Sequence, residues 1–94
     1  MRIKLTPRAV LNLTSIERRV AQDNPVAAAR LKKRVIASVE QLAELPGLGR
    51  PGRISGTREL IVPGTHYIVP YRVREGTVQI LAVLHSAQQW PDTF

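Results

Sequence analysis

The 94-residue sequence predicts one α+β domain, residues 1–94, in which an antiparallel sheet of order β-α-α-β-β-β packs against an N-terminal helix hairpin. Three observations predict it. A short alternating stretch opens the chain, two consecutive stretches with helical apolar spacing follow, and three β-branched runs close it after a Gly/Pro-rich loop. A chain of this length fills a single hydrophobic core, and that core is small.

The elements follow in order. In "RIKLT" Arg2 and Lys4 alternate with Ile3 and Leu5, the period-two pattern of a strand with one wet face. Thr6 then supplies an N-cap and Pro7 a first helical residue, and Val10, Leu13, Ile16 and Val20 recur at helical spacing. Asn24-Pro25 repeats the cap-plus-proline signal, after which Val26, Leu31, Val35, Val39, Leu42 and Leu45 form a second stripe. With no linker between them, the two helices make an antiparallel hairpin that leaves one side for a sheet. "PGLGRPGRISGT", Pro46 to Thr57, reads as a loop. "RELIVP", "HYIVPYRV" and "VQILAVLH" read as a three-stranded meander with turns at Gly64 and at Arg74 to Thr77. Pro70 cannot donate to a ladder, so its strand is bulged there or unpaired on that side.

The composition narrows the function. Fourteen Lys and Arg against seven Asp and Glu give a formal net charge of +7, which points to a polyanionic partner: nucleic acid, a ribosome or an acidic protein. The absence of cysteine excludes disulfides and thiolate metal sites, and two histidines without a carboxylate cluster give no reason to expect a metal; no cofactor is expected either. No stretch has the length and apolarity of a signal peptide or a membrane span, so a cytoplasmic location without membrane contact is expected.

Several side chains are candidates for chemistry or binding. The "RLKKR" group, Arg30 to Arg34, reads as a solvated helix face before a phosphate-binding one. Arg50 and Arg53 sit on a Gly-rich loop, where guanidinium groups reach phosphates or carboxylates bidentately. Strand alternation puts Tyr67, Val69, Tyr71 and Val73 on one face and Ile68, Pro70 and Arg72 on the other, so Arg72 projects from an otherwise apolar face. Metal-free RNA cleavage needs a base, an acid and cations for the developing phosphate charge. His85, His66, Glu59, Tyr67, Tyr71 and Arg72 supply those residue types, with no spacing that makes them converge. A lone histidine ending a strand is more often structural than catalytic, and Trp90 reads as an anchor for the tail before a base-stacking platform.

A basic chain with a helix hairpin, a Gly/Pro loop, "RELIVPGTHYIVPYRV" and a closing "ILAVLHSAQQWP" resembles the RelE/ParE superfamily of toxins from bacterial type II toxin–antitoxin modules. The resemblance spans nearly the whole chain, with Arg58 to Val73 and Leu84-His85 as its most specific parts. It implies an antitoxin that wraps and neutralises the toxin in a hetero-oligomer, and growth arrest by the free toxin. It offers two mechanisms: RelE-like members cleave mRNA on the ribosome, and ParE-like members poison DNA gyrase. At the positions where RelE-type toxins carry two lysines, this chain has Glu59 and Ile61. Their strand arginine falls at Ile68, their C-terminal arginine at Gln88 and their C-terminal tyrosine at Phe94. The RelE-type cationic stabilisation is therefore missing from those positions.

The favoured reading is thus a ParE-like toxin acting on gyrase by binding, with Arg50, Arg53, Arg58, Arg72 and Trp90 as target-binding or nucleic-acid-binding candidates. The alternative is a divergent ribosome-dependent mRNA endonuclease using His85, Arg72, Arg58 and Tyr71. A third class is a nucleic-acid-binding module with no toxic role. Apolar surface left on the hairpin and the sheet edge is expected to take an antitoxin helix or strand whose acidic groups meet the basic surface.

Overall fold

The computed structural model describes residues 1–94. The chain forms β1 (Arg2–Leu5), α1 (Pro7–Asp23), α2 (Pro25–Glu40), a 3-10 turn (Gln41–Ala43), β2 (Arg50–Pro51), β3 (Arg58–Ile61), β4 (Tyr67–Arg74), β5 (Thr77–Ile80) and β6 (Leu84–His85). Local chemistry sets the helix boundaries. Thr6 Oγ1 accepts from the Ala9 N–H at 3.2 Å, and Asn24 Oδ1 accepts from the Ala27 N–H at 3.0 Å. Asn24 also ends α1, its own N–H reaching the Val20 carbonyl, so one residue turns the hairpin.

The hairpin packs on one face of the sheet. Ala9, Leu13 and Ile16 of α1 and Val35 and Val39 of α2 meet Leu60, Val62, Val69, Tyr71, Val78 and Ile80 in a single core. Three expected core positions are displaced. Val10 is 50 % exposed while Ala9 takes its place inside, and Val26 and Leu45 stay outside at 60 % and 58 %. The apolar stripe read from spacing is therefore shifted by one residue at the start of α1 and shortened at both ends of α2.

The sheet order is β1-β5-β4-β3-β2, with β6 beside the first half of β4. The predicted helix hairpin on a sheet is present, with two refinements. β1 runs parallel to β5, so the sheet is mixed rather than wholly antiparallel. The expected loop contains a two-residue strand, β2, paired with β3. The β4–β5 turn is made by Glu75 and Gly76 at φ 51° and 71°, both in the left-handed region that a two-residue hairpin of matching twist requires.

The last strand is broken opposite Pro70. Tyr71 faces Ile80 and Ile68 faces Leu84, so Val69 and Pro70 on β4 oppose three residues, Leu81, Ala82 and Val83. That is a β-bulge of one extra residue. Pro70 accepts from the Leu81 N–H at 2.9 Å but has no N–H to return to the Leu81 carbonyl. Thr6 Oγ1 serves that carbonyl instead, sharing its hydroxyl proton between Ile80 O (2.8 Å) and Leu81 O (3.1 Å). The Val83 N–H, freed by the bulge, donates to Asn12 Oδ1 of α1 at 3.1 Å. Thr6→Val removes both the helix cap and the bulge hydrogen bonds, and should lower the unfolding free energy by about 2 kcal/mol. Thr6→Ser keeps the hydroxyl and should lose less than half as much in urea melts. Equal losses would show that the methyl group, and not the hydroxyl, holds the junction.

Candidate functional site

The Gly/Pro loop is organised around one buried carboxylate. Glu59 on β3 is 3 % exposed, and Arg50 Nε and Nη2 donate to its Oε1 at 3.3 and 3.1 Å. The Arg53 backbone N–H and Nε donate to its Oε2 at 2.8 and 3.2 Å. Burial pushes the Glu59 carboxyl up, but hydrogen bonds from the Arg53 backbone, the Arg53 side chain and the Arg50 side chain, with the Arg53 charge, outweigh it and hold Glu59 below the ordinary carboxylate range. Glu59 therefore neutralises the loop arginines rather than standing as a free anion. The Arg53 guanidinium also lies over the Trp90 ring, 3.5 Å from its centroid, and ties the C-terminal tail to the loop.

A second clamp holds the start of the same loop. Tyr71 is fully buried, its hydroxyl donating to Pro46 O at 2.7 Å and accepting from the Gly49 N–H at 2.8 Å. Arg58 Nη1 donates to Gly49 O at 2.8 Å. A Cβ at Gly49 would lie 2.6 Å from the Tyr71 ring, so this close approach needs glycine. Tyr71, named above as a partner for nuclease chemistry, is thus a core residue whose hydroxyl is saturated, and Arg58 spends a donor on the backbone.

His85 ends β6 opposite Tyr67, with ring centroids 5.3 Å apart edge-on, and His66 lies 5.6 Å away. Arg19 of α1 reaches the Tyr67 hydroxyl at 3.4 Å. The His85 Nδ1 accepts the Ala87 N–H at 3.0 Å, and its backbone N–H donates to Gln88 Oε1 at 2.7 Å. The Ala87 N–H thus occupies the Nδ1 lone pair.

The two faces of the sheet separate the nuclease candidates. Tyr67 and His85 share the helix side with Tyr71 and Arg58, whereas Arg72 lies on the opposite face. There Arg72 Nε donates to Gln79 Oε1 at 2.8 Å. The structure therefore joins Arg50 and Arg53 through Glu59 and Trp90 through Arg53, and does not bring His85 and Arg72 together. Sequence reasoning missed the role of Glu59. The signal was present in the flanking Arg50 and Arg53, two cations of a loop that returns to the strand carrying the only acid in "RELIVP".

The model of the ParE toxin of the type II toxin–antitoxin system parDE matches residues 3–90. The chain belongs to this family. It is 48 % identical over 90 residues to a Sinorhizobium fredii protein named "Putative toxin Y4kP", covering 96 % of this chain and 93 % of that protein. It is 34 % identical over 83 residues to the toxin RelE2 of Caulobacter vibrioides, covering 88 % and 92 %. Among solved structures, it is similar to a chain of the chromosomal ParDE system from P. aeruginosa with a TM-score of 0.82 and 27 % identity, covering 90 % of this chain and 95 % of that one. The toxin–antitoxin complex RelBE2 from Mycobacterium tuberculosis is similar with a TM-score of 0.66 and 27 % identity, covering 89 % and 95 %.

Glu59 gives this member of the family a pH signature. Its folded carboxyl titrates below the unfolded one, so its stabilisation is complete above the ordinary carboxylate range and is lost as pH falls through the folded value. Glu59→Gln should cost about 2 kcal/mol near neutrality, limited because both arginines are about half exposed. In denaturant melts from pH 7 to pH 3 the gap between the two proteins should close toward acid. A gap independent of pH would show that the charge of Glu59 is not what matters.

Proposed function

We propose that this toxin of a type II toxin–antitoxin module arrests growth, when free of its antitoxin, by ParE-like poisoning of DNA gyrase. The observation that carries this reading is the separation of His85 from Arg72. His85 has Nδ1 engaged and faces the helix side, while Arg72 lies on the other face. A phosphoryl-transfer site needs base and cation within reach of one phosphate, which His85 and Arg72 on opposite faces do not supply. The ParE family model spanning residues 3–90 supports the same side. A second reading, ribosome-dependent mRNA cleavage, is favoured by the likeness to the Caulobacter vibrioides toxin named RelE2.

A cognate antitoxin fits the surface. Val10 and Leu11 on α1, Val26 on α2 and Leu45 and Leu48 beyond it are large apolar side chains at 48–67 % exposure. An amphipathic partner covering them would bury the surface that a domain this small leaves outside. The solved neighbours come from a ParDE system and a RelBE2 complex, which supports such a partner.

Purified toxin should inhibit gyrase supercoiling and raise the level of cleaved DNA–gyrase complex, and should leave mRNA intact on programmed ribosomes. His85→Ala, expressed at equal level, should arrest growth as fully as the parent chain. Ribosome-dependent cuts lost in His85→Ala would replace this mechanism with the nuclease.

A further inference from the structure

The hairpin covers one face of the sheet, and the β1–β5–β4 part of the other face lies bare. There the register aligns Lys4, Gln79 and Arg72 in one row and Arg2, Thr77 and Arg74 in the next. Two cations on β1 and two on β4 thus flank a neutral polar strand. The two cationic strands are about 10 Å apart, and neighbours along each strand about 7 Å, from ordinary sheet spacings. None of the four makes an ion pair: the salt bridges of the chain use Lys32, Arg50 and Arg53. Glu75 in the β4–β5 turn borders the face beside Arg2, Lys4 and Arg74, and Asp92 of the C-terminal tail borders it beside Arg72 and Arg74. Neither carboxylate reaches an arginine.

We infer that this face binds the phosphate backbone of duplex DNA. A protein partner needs apolar anchors at the centre of its footprint, and the six side chains of these rows are all charged or polar. Base stacking on a single strand needs aromatic rings, and the rows hold none. A duplex backbone needs only spaced cations and donors, supplied by Arg2, Lys4, Arg72 and Arg74 with the Thr77 hydroxyl and Gln79 amide between them. Gln79 holds Arg72 by its Nε, and no ion pair engages the paired terminal nitrogens of the guanidinium, which match a phosphate. The choice of DNA over RNA rests on the gyrase reading; the assignment of the face to a duplex backbone does not.

The test uses the full chain, purified free of antitoxin, and a labelled 20-base-pair DNA duplex followed by fluorescence anisotropy between 50 and 200 mM salt. Four phosphate contacts give a slope of log affinity on log salt of about −3.6. Arg72→Gln/Arg74→Gln and Arg2→Gln/Lys4→Gln, each confirmed folded by circular dichroism, should each weaken binding roughly tenfold and reduce the slope by about 2. Arg30→Ala/Lys33→Ala on α2 should leave both unchanged. Absence of duplex binding at 50 mM salt, or an undiminished slope in both pairs of variants, overturns the assignment of the face. Equal displacement by polyglutamate at matched charge overturns it in favour of an acidic protein, and tenfold tighter binding to an RNA duplex overturns the choice of DNA. Gyrase assays on the same preparations keep the readings apart. Inhibition of gyrase without duplex binding removes only this inference, and duplex binding through the face without gyrase inhibition supports it while removing the target.

Discussion

The missing N–H of Pro70 is the constraint on which the arrangement of this molecule turns. Leu81 can donate across the ladder but receives nothing back, and the strand after it takes up one extra residue before pairing resumes at Leu84. A one-residue change of register moves every later side chain to the other face. Had the β4–β5 register continued, His85 would have stood opposite His66, on the face of Arg72. The bulge instead turns His85 toward Tyr67 and the helices. Thr6 and Asn12, at the entrance and in the second turn of α1, bind the groups that the bulge leaves open. The first helix, the broken strand and the orientation of His85 are therefore one structural event.

Glu59 organises the opposite corner by a different route. A carboxylate that is 3 % exposed survives as an anion only because four donors from Arg50 and Arg53 surround it. Two of the loop cations are thereby drawn into structure, and Arg53 passes the order on to Trp90 and the tail. The Gly49 backbone is pinned from the helix side by Tyr71 and Arg58 at the same time. A loop rich in glycine and proline is held here by polar side chains on both faces of the sheet, because its own residues bury little apolar surface.

Much of the fold was legible in the sequence. Thr6-Pro7 and Asn24-Pro25 marked both helix starts through a mechanism confined to a few neighbouring residues, and alternation placed Tyr71 and Arg72 on opposite faces. What was not legible was non-local. The parallel pairing of β1 with β5 joins residues 2–5 to residues 77–80, and nothing within either segment specifies the other. The anomaly of Pro70 could be read, but not which strand would yield to it. The site was less legible than the fold. Residue types for cleavage were present, yet whether His85 and Arg72 converge depended on the bulge, and whether Glu59 stands free or neutralises the loop arginines depended on a loop folding back on it.

The distribution of charge then sets two groups of cations apart. Arg50 and Arg53 are paired with Glu59. Arg2, Lys4, Arg72 and Arg74 are crowded onto one flat face without an ion pair, and their mutual repulsion works against the folded state. The face also lacks apolar side chains whose burial could repay that cost, since Ile3, Leu5, Val73 and Val78 point to the helix side of the same strands. Repulsion of this kind is relieved only when an anion arrives, and its counterpart is an encounter rate that rises as salt is lowered. The apolar side chains left exposed on the helices, Val10, Leu11 and Val26, lie across the sheet from that face. One side of the molecule is thus chemically suited to a partner that buries it, and the other to a partner that carries negative charge at regular spacing.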